Sequence, residues 1–172
     1  MHALRVRTTF ARNAFDGGVD EQKGVDMGLF DFVKAAGRAL GFGEDAKADD
    51  AAAAIKKEVE GYGFDVEDLD IEVDGDTVKI GGKTPTQELR EKIILAAGNV
   101  EGVARVEESI EAGDGAEEAV FHTVEKGDTL WAISSKHLGE GSAYMKIFEA
   151  NRPMLSDPDK IYPGQVLRIP KS

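Results

Sequence analysis

Hydrophobic positions change period several times along the chain, and each change marks an element. Leu29, Phe30, Phe32, Val33, Ala36 and Leu40 fall close to one helical face. They predict an amphipathic helix across 28–40 that slows at Gly37, a natural C-terminal stop. An alanine-rich stretch over 46–61, with Ile55, Val59 and Tyr62 as its stripe, predicts a second helix. The period then drops to two. Leu69, Ile71 and Val73 alternate with Asp70, Glu72 and Asp74, which predicts a half-buried strand. Asp74-Gly75 is a hairpin signal, and Val78 and Ile80 lie on the returning strand. Next, "TPTQELREKIILAAGNV" offers Thr84 or Thr86 as cap, Pro85 near the first turn and Glu88 at the positive end of a helix. Leu89, Ile93 and Ala97 are its expected buried stripe. A glycine-flanked loop leads to a further strand with Val103 and Val106, giving the order α-β-β-α-β.

Residues 113–119 are polar and glycine-containing, as a linker is. The last fifty residues predict strand, helix, helix, strand. Asp128 or Thr129 caps the first of these helices, which carries Leu130, Ile133 and Leu138; Tyr144, Ile147 and Phe148 belong to the second, and "VLRIP" closes the set. The expected fold class is therefore α+β in two small domains, 46–112 and 120–171, with the helix of 27–45 packed on the first.

Composition narrows the function. Charged residues make up 31% of the 172 positions and the formal net charge is −12. That balance argues against nucleic acid, which is held by clustered Lys and Arg, and against anionic membranes. There is no cysteine, hence no disulfide framework and no thiolate metal site. Apolar runs are too short to span a bilayer. Residues 1–26 lack the apolar segment of a secretory signal. Lys23-Gly24-Val25 can be encoded by a bacterial ribosome-binding sequence just before the Met27 codon. Residues 1–26 are accordingly expected to be a translated leader without function, and the protein to be cytoplasmic.

Side-chain chemistry offers little. Asp70-x-Glu72-x-Asp74-Gly75 imitates the start of a calcium loop, but its twelfth position is Gly81 and its acids lie on the solvent face of a strand. Ser134, Ser135, His122 and His137 suggest hydrolysis only weakly, because no positioned acid and no nucleophile elbow is evident. The neighbouring pairs Glu107-Glu108 and Glu117-Glu118 do not make a catalytic dyad, since strand neighbours point to opposite faces. The chain reads as a non-enzyme. Trp131, the single tryptophan, either packs or stacks on a sugar.

The "DGDTVKIGG" hairpin and the "GVARV" strand entry, within α-β-β-α-β, resemble the BON domain family over 46–112. BON domains are mostly binding modules. "TVEKGDTLWAIS", "IFEAN" and "IYPGQVLRIP" resemble the LysM family over 121–170, a β-α-α-β fold whose usual ligands are N-acetylglucosamine-containing glycans. The order "MGLFDFVKAAG", BON, linker, LysM is similar to the small bacterial cytoplasmic potassium-binding proteins. That resemblance implies a monomeric ion sensor with a potassium ion held by main-chain oxygens.

Potassium is large and monovalent, and a selective site uses several neutral oxygens in place of the hydration shell. Free carbonyls collect at helix C-termini, at the negative end of the dipole. Two such ends are expected to meet here, 33–37 and 97–103. The carbonyls of Val33, Ala36, Gly98, Val100 and Val103, with Arg38 as a sixth, form the expected cage. The rival is a peptidoglycan-binding envelope module whose glycan groove would involve Gly127, Asp128, Thr129, Leu130, Asn151 and Ile161. In a third reading, LysM serves as an intramolecular or protein-docking surface.

Overall fold

The computed structural model describes residues 28–41 and 46–171. The translated-leader reading of 1–26 lies outside the described residues. Strand β1 (Gly28–Asp31) comes first, followed by helix α1 (Ala48–Gly61), strands β2 (Glu67–Asp74) and β3 (Thr77–Thr84), helix α2 (Gln87–Gly98) and strand β4 (Arg105–Ala112). The expected α-β-β-α-β order thus stands, with an extra strand before it. The sheet order is β1-β4-β3-β2; β3 and β4 run parallel and the other neighbours antiparallel. Gly75, at φ 62°, makes the tight turn between Asp74 and Thr77.

Helices α1 and α2 cover one face of this sheet. Ile55, Val59 and Ile93 from the helices meet Val78, Ile80 and Val106 from the strands in one apolar core, all at most 2% exposed. Alternation sends Asp70, Glu72 and Asp74 outward, as the period-two pattern requires. Thr86 caps α2 by accepting the Leu89 N–H at 3.2 Å.

The opening helix is a correction. Residues 28–31 are a strand paired with β4, and 32–41 continue as a loop. Phe30 and Phe32 are two residues apart, so they share a face in extended chain as well as they approximate one in a helix. A helix of about ten residues is marginal in water, whereas β4 offers an unpaired edge. Phe30 packs into the core beneath the sheet and Phe32 is 9% exposed, while Leu29 points out at 57%.

The second unit contains β5 (Val120–Thr123), α3 (Leu130–Leu138), a 3-10 turn (Gly141–Ala143), α4 (Tyr144–Ala150) and β6 (Val166–Ile169), with β5 and β6 antiparallel. Thr129 caps α3 by accepting the Ala132 N–H at 3.1 Å. Ile133, Ile147 and Leu167 form its own core.

The two units are docked. The run Ile93–Gly98 is buried throughout, because α2 lies between the sheet of the first unit and β6 of the second. Three contacts fix that arrangement. Glu91, 1% exposed, accepts from the Gln87 amide, the Ala119 N–H and the Arg168 guanidinium. The Asn99 amide donates to the Val166 carbonyl at 2.8 Å and accepts the Val166 N–H at 2.9 Å. Phe30 and Phe121 meet edge to face, with ring centroids 5.3 Å apart.

Candidate functional site

The two segments expected to form a cage do meet, although only one of them is a helix end. Residues 32–38 form a loop interlaced with the loop that follows α2. Phe32 N–H donates to the Ala104 carbonyl, Arg38 N–H to Asn99, Glu101 N–H to Arg38 and Gly102 N–H to Lys34, at distances of 2.8 to 3.1 Å. Glycine permits this approach at two points. A Cβ on Gly37, which sits at φ +117°, would come within 2.7 Å of the Asn99 backbone. One on Gly98 would come within 2.0 Å of the Phe32 ring, which therefore lies directly on the α2 terminus. The second unit closes the assembly from a third side. A Cβ on Gly164 would reach 2.6 Å from Cβ of Ala36 and 3.2 Å from that of Val33.

The six expected carbonyls divide into two groups. Those of Val33, Arg38 and Val100 each accept one backbone N–H, from Ala36, Glu101 and Val103 respectively. A carbonyl has a second lone pair, so each retains capacity for one more partner. No backbone N–H among the described residues donates to the carbonyls of Ala36, Gly98 or Val103. Val100 and Val103 are buried, at 0 and 3% exposure. The Arg38 side chain turns away to pair with Glu58. Among the described residues no group of three His, Asp or Glu side chains is placed to hold a metal. Any cation held between these loops would meet neutral main-chain oxygen, suited to a large monovalent ion rather than to calcium.

The second unit carries a separate groove of about 370 Å³. Asp128, Thr129, Leu130 and Ile161 line it, with Trp131 and Tyr144 alongside. The Trp131 indole is 57% exposed and lies flat on Gly141, where a Cβ would come within 2.3 Å of the ring. Two other expected groove residues belong elsewhere. Gly127 is a turn residue at φ +93° outside the lining. Asn151 is a correction: it is 2% exposed, and its amide holds the Arg168 backbone through 2.8 Å bonds in both directions. It fastens β6 to α4.

Sequence reasoning missed three polar features. Glu91 and Glu108 are buried to 1% or less, and Glu108 pairs with Arg90. Nothing in their sequence neighbourhood distinguishes them from surface acids. The third is an acid beside the histidines. Asp128 Oδ2 lies 3.0 Å from His122 Nε2, and His122 Nδ1 lies 3.1 Å from His137 Nε2. The backbone N–H of Glu125, and then His122, hold the Asp128 carboxyl below its ordinary range. Burial, and then the nearby His122 and Lys136, push His137 down. Ser134 offers these histidines no nucleophile: it is fully buried and donates to the Glu140 carbonyl at 2.6 Å.

A BON-type sheet-and-helix unit docked against a LysM unit defines the class of protein. Residues 47–114 match the BON domain family and residues 122–170 the LysM domain family. The chain is 44% identical over 149 residues to the potassium binding protein Kbp of Escherichia coli, an alignment covering 84% of this chain and 99% of that protein. It belongs to that family. It is also 35% identical over 114 residues to an uncharacterized protein of Deinococcus radiodurans, covering 59% of this chain and 44% of that one. Among the described residues no helix is long and apolar enough to cross a membrane.

Proposed function

We propose that this chain binds potassium selectively between the 33–38 loop and the loop after α2, through the carbonyls of Val33, Ala36, Gly98, Val100 and Val103, with Arg38 as a sixth. The observation that carries this reading is the interlacing of the two loops around carbonyls of Ala36, Gly98 and Val103 that receive no backbone donor from the described residues. The name of the Escherichia coli relative supports the ion. The protein acts as a monomeric cytoplasmic sensor rather than an enzyme. Binding fixes the BON–LysM arrangement, because Gly164 rests on Val33 and Ala36, and because Asn99, between two of the ligating positions, holds Val166. An ion that binds only the ordered state stabilises it by mass action, by about 2.7 kcal/mol at a hundred times its dissociation constant. Melting curves in matched potassium and sodium chloride test this. Potassium should raise the midpoint more, because sodium is too small for a cage of this kind; equal shifts refute a selective site.

A second reading has its own observation, the exposed Trp131 beside the groove lined by Asp128, Thr129, Leu130 and Ile161. In it the LysM unit binds N-acetylglucosamine-containing glycan. Retention on purified peptidoglycan by the full chain, lost in Trp131→Ala, supports it; no retention discards it.

A further inference from the structure

A second cavity, of about 270 Å³, opens where α1, the end of α2, the 37–38 loop and the 154–165 segment of the LysM unit converge. Its polar inventory is lopsided. Glu58 is the one carboxylate in the lining among the described residues, and it is already engaged by the Arg38 guanidinium and by the Tyr62 hydroxyl at 2.6 Å. The other ionic group is the Lys160 ammonium, exposed at the rim and without a carboxylate partner among the described ion pairs. Gln165 is 6% exposed; its Oε1 is taken by the Tyr162 N–H at 3.2 Å, which leaves its amide N–H groups as the available function. The Tyr162 hydroxyl is kept protonated by burial, so it too can donate. Of the rest of the wall, Leu95, Ala96, Met154, Leu155 and the tyrosine rings are apolar, Ser156 is polar, and the Asn99 amide is already engaged by Val166. In a chain of formal charge −12, this cleft is lined by the donors of Lys160, Tyr162 and Gln165, with no ion pair to Lys160 among the described residues, while its Glu58 carboxylate is neutralised by Arg38.

From this juxtaposition we infer that the cleft is a binding site for a small organic anion, a carboxylate or phosphate carried on a planar apolar body. The anionic group meets Lys160, Tyr162 and the Gln165 amide, and the body lies against the tyrosine and methionine side chains. The ligand touches both domains, so it favours the docked arrangement. The site shares Gly37, Arg38 and Asn99 with the loops proposed to hold potassium, but its occupancy does not require the ion.

The test titrates the full chain with benzoate, phenyl phosphate and, as the neutral control, benzyl alcohol, following the amide resonances of Gly37, Asn99 and Tyr162. Saturable shifts at these amides are expected for at least one of the two anions and not for the alcohol. The tighter of the two identifies carboxylate or phosphate as the preferred head group. Lys160→Ala removes one charge-assisted hydrogen bond and should weaken binding about tenfold. It should leave the melting temperature, and any response of it to potassium, unchanged. No saturable shift with either anion, equal binding of the alcohol, or unaltered affinity in Lys160→Ala overturns the site. A protein indifferent to potassium that still binds the anion refutes the ion cage alone.

Discussion

Replacing Gly98 by alanine should be costly in the native protein and harmless once Phe32 is gone. A Cβ on Gly98 would stand 2.0 Å from Cζ and 2.3 Å from Cε1 of the Phe32 ring, where carbon–carbon contact needs roughly 3.5 to 4.0 Å. The ring must retreat by about 1.5 to 2 Å. It is 9% exposed, so displacement surrenders much of the burial that holds the 32–38 loop on α2. Burying a phenylalanine side chain contributes about 1.5 to 3 kcal/mol. Against this stands the helix preference of alanine over glycine, at most about 1 kcal/mol and less at a terminus. Gly98→Ala should therefore destabilise by about 1 to 2.5 kcal/mol, read as a shift in the urea midpoint at unchanged slope. In a Phe32→Ala background the clash is absent, only the propensity remains, and the same change should be neutral or stabilising. The reversal of sign separates ring displacement from a general cost at position 98. Equal losses in both backgrounds refute the proposed stacking, as does a Gly98→Ala single variant as stable as the parent. A loop displaced in this way should also lose the proposed potassium-dependent rise in melting temperature.

Other consequences of the geometry are open to direct measurement. Asn99→Ala leaves the buried Val166 N–H and carbonyl without partners, at about 1 to 3 kcal/mol for each unsatisfied group; small-angle scattering should show the LysM unit released, while the BON unit remains folded by circular dichroism. Arg168→Ala strands the Glu91 carboxylate, which is 1% exposed, and should cost about 3 to 5 kcal/mol in urea titration; Glu91→Gln/Arg168→Met should recover part of that loss. Acidification should destabilise the LysM unit in two stages. The His137 pKa is lowered by burial and by the nearby His122 and Lys136, so the unfolded chain takes up the proton first and stability is lost as pH falls below about 6.5. The Asp128 pKa is lowered by the Glu125 N–H and His122, so its contribution persists to more acid pH and fades as the carboxyl protonates. Melting temperatures from pH 8 to pH 3 in His137→Gln should lack the first stage and retain the second.

The fold was legible where burial is one-sided. β2 announces itself because its acids face water and Leu69, Ile71 and Val73 face the core. The capping threonines, the hairpin at Gly75 and the LysM order followed from local chemistry in the same way. Residues 28–32 were misread because Phe30 and Phe32 satisfy two periods, and the deciding factor, the free edge of β4, is sixty residues and more away in sequence. On α2 the stripe of Leu89, Ile93 and Ala97 was legible, but the burial of Ile94, Leu95 and Ala96 as well was not, because the second neighbour of the helix, β6, comes from the other domain. Glu91 and Glu108 illustrate the general limit. A buried carboxylate looks like a surface one until its partners, Arg168 and Arg90, are placed beside it. Likewise Asp128 could be recognised as a possible cap, yet its pairing with His122 depends on how β5 lies against the turn before α3.

Carbonyl chemistry and domain docking meet at Asn99, and this has a thermodynamic consequence. Its neighbours Gly98 and Val100 supply two of the proposed ligands, its own carbonyl accepts the Arg38 N–H, and its side chain holds both polar groups of Val166. A shift of the 98–100 backbone that re-aims those carbonyls also displaces the amide that grips the LysM unit. An ion that favours one orientation of the loop must then favour docking, and by reciprocity docking must favour the ion by the same factor. The Asn99→Ala variant retains every proposed ligand, because all are main-chain oxygens. It should nevertheless bind potassium more weakly, and the loss of affinity should equal the loss of the ion's effect on docking. Weakened docking with undiminished potassium affinity would show that the loop moves independently of the side chain, and that the two functions are only neighbours.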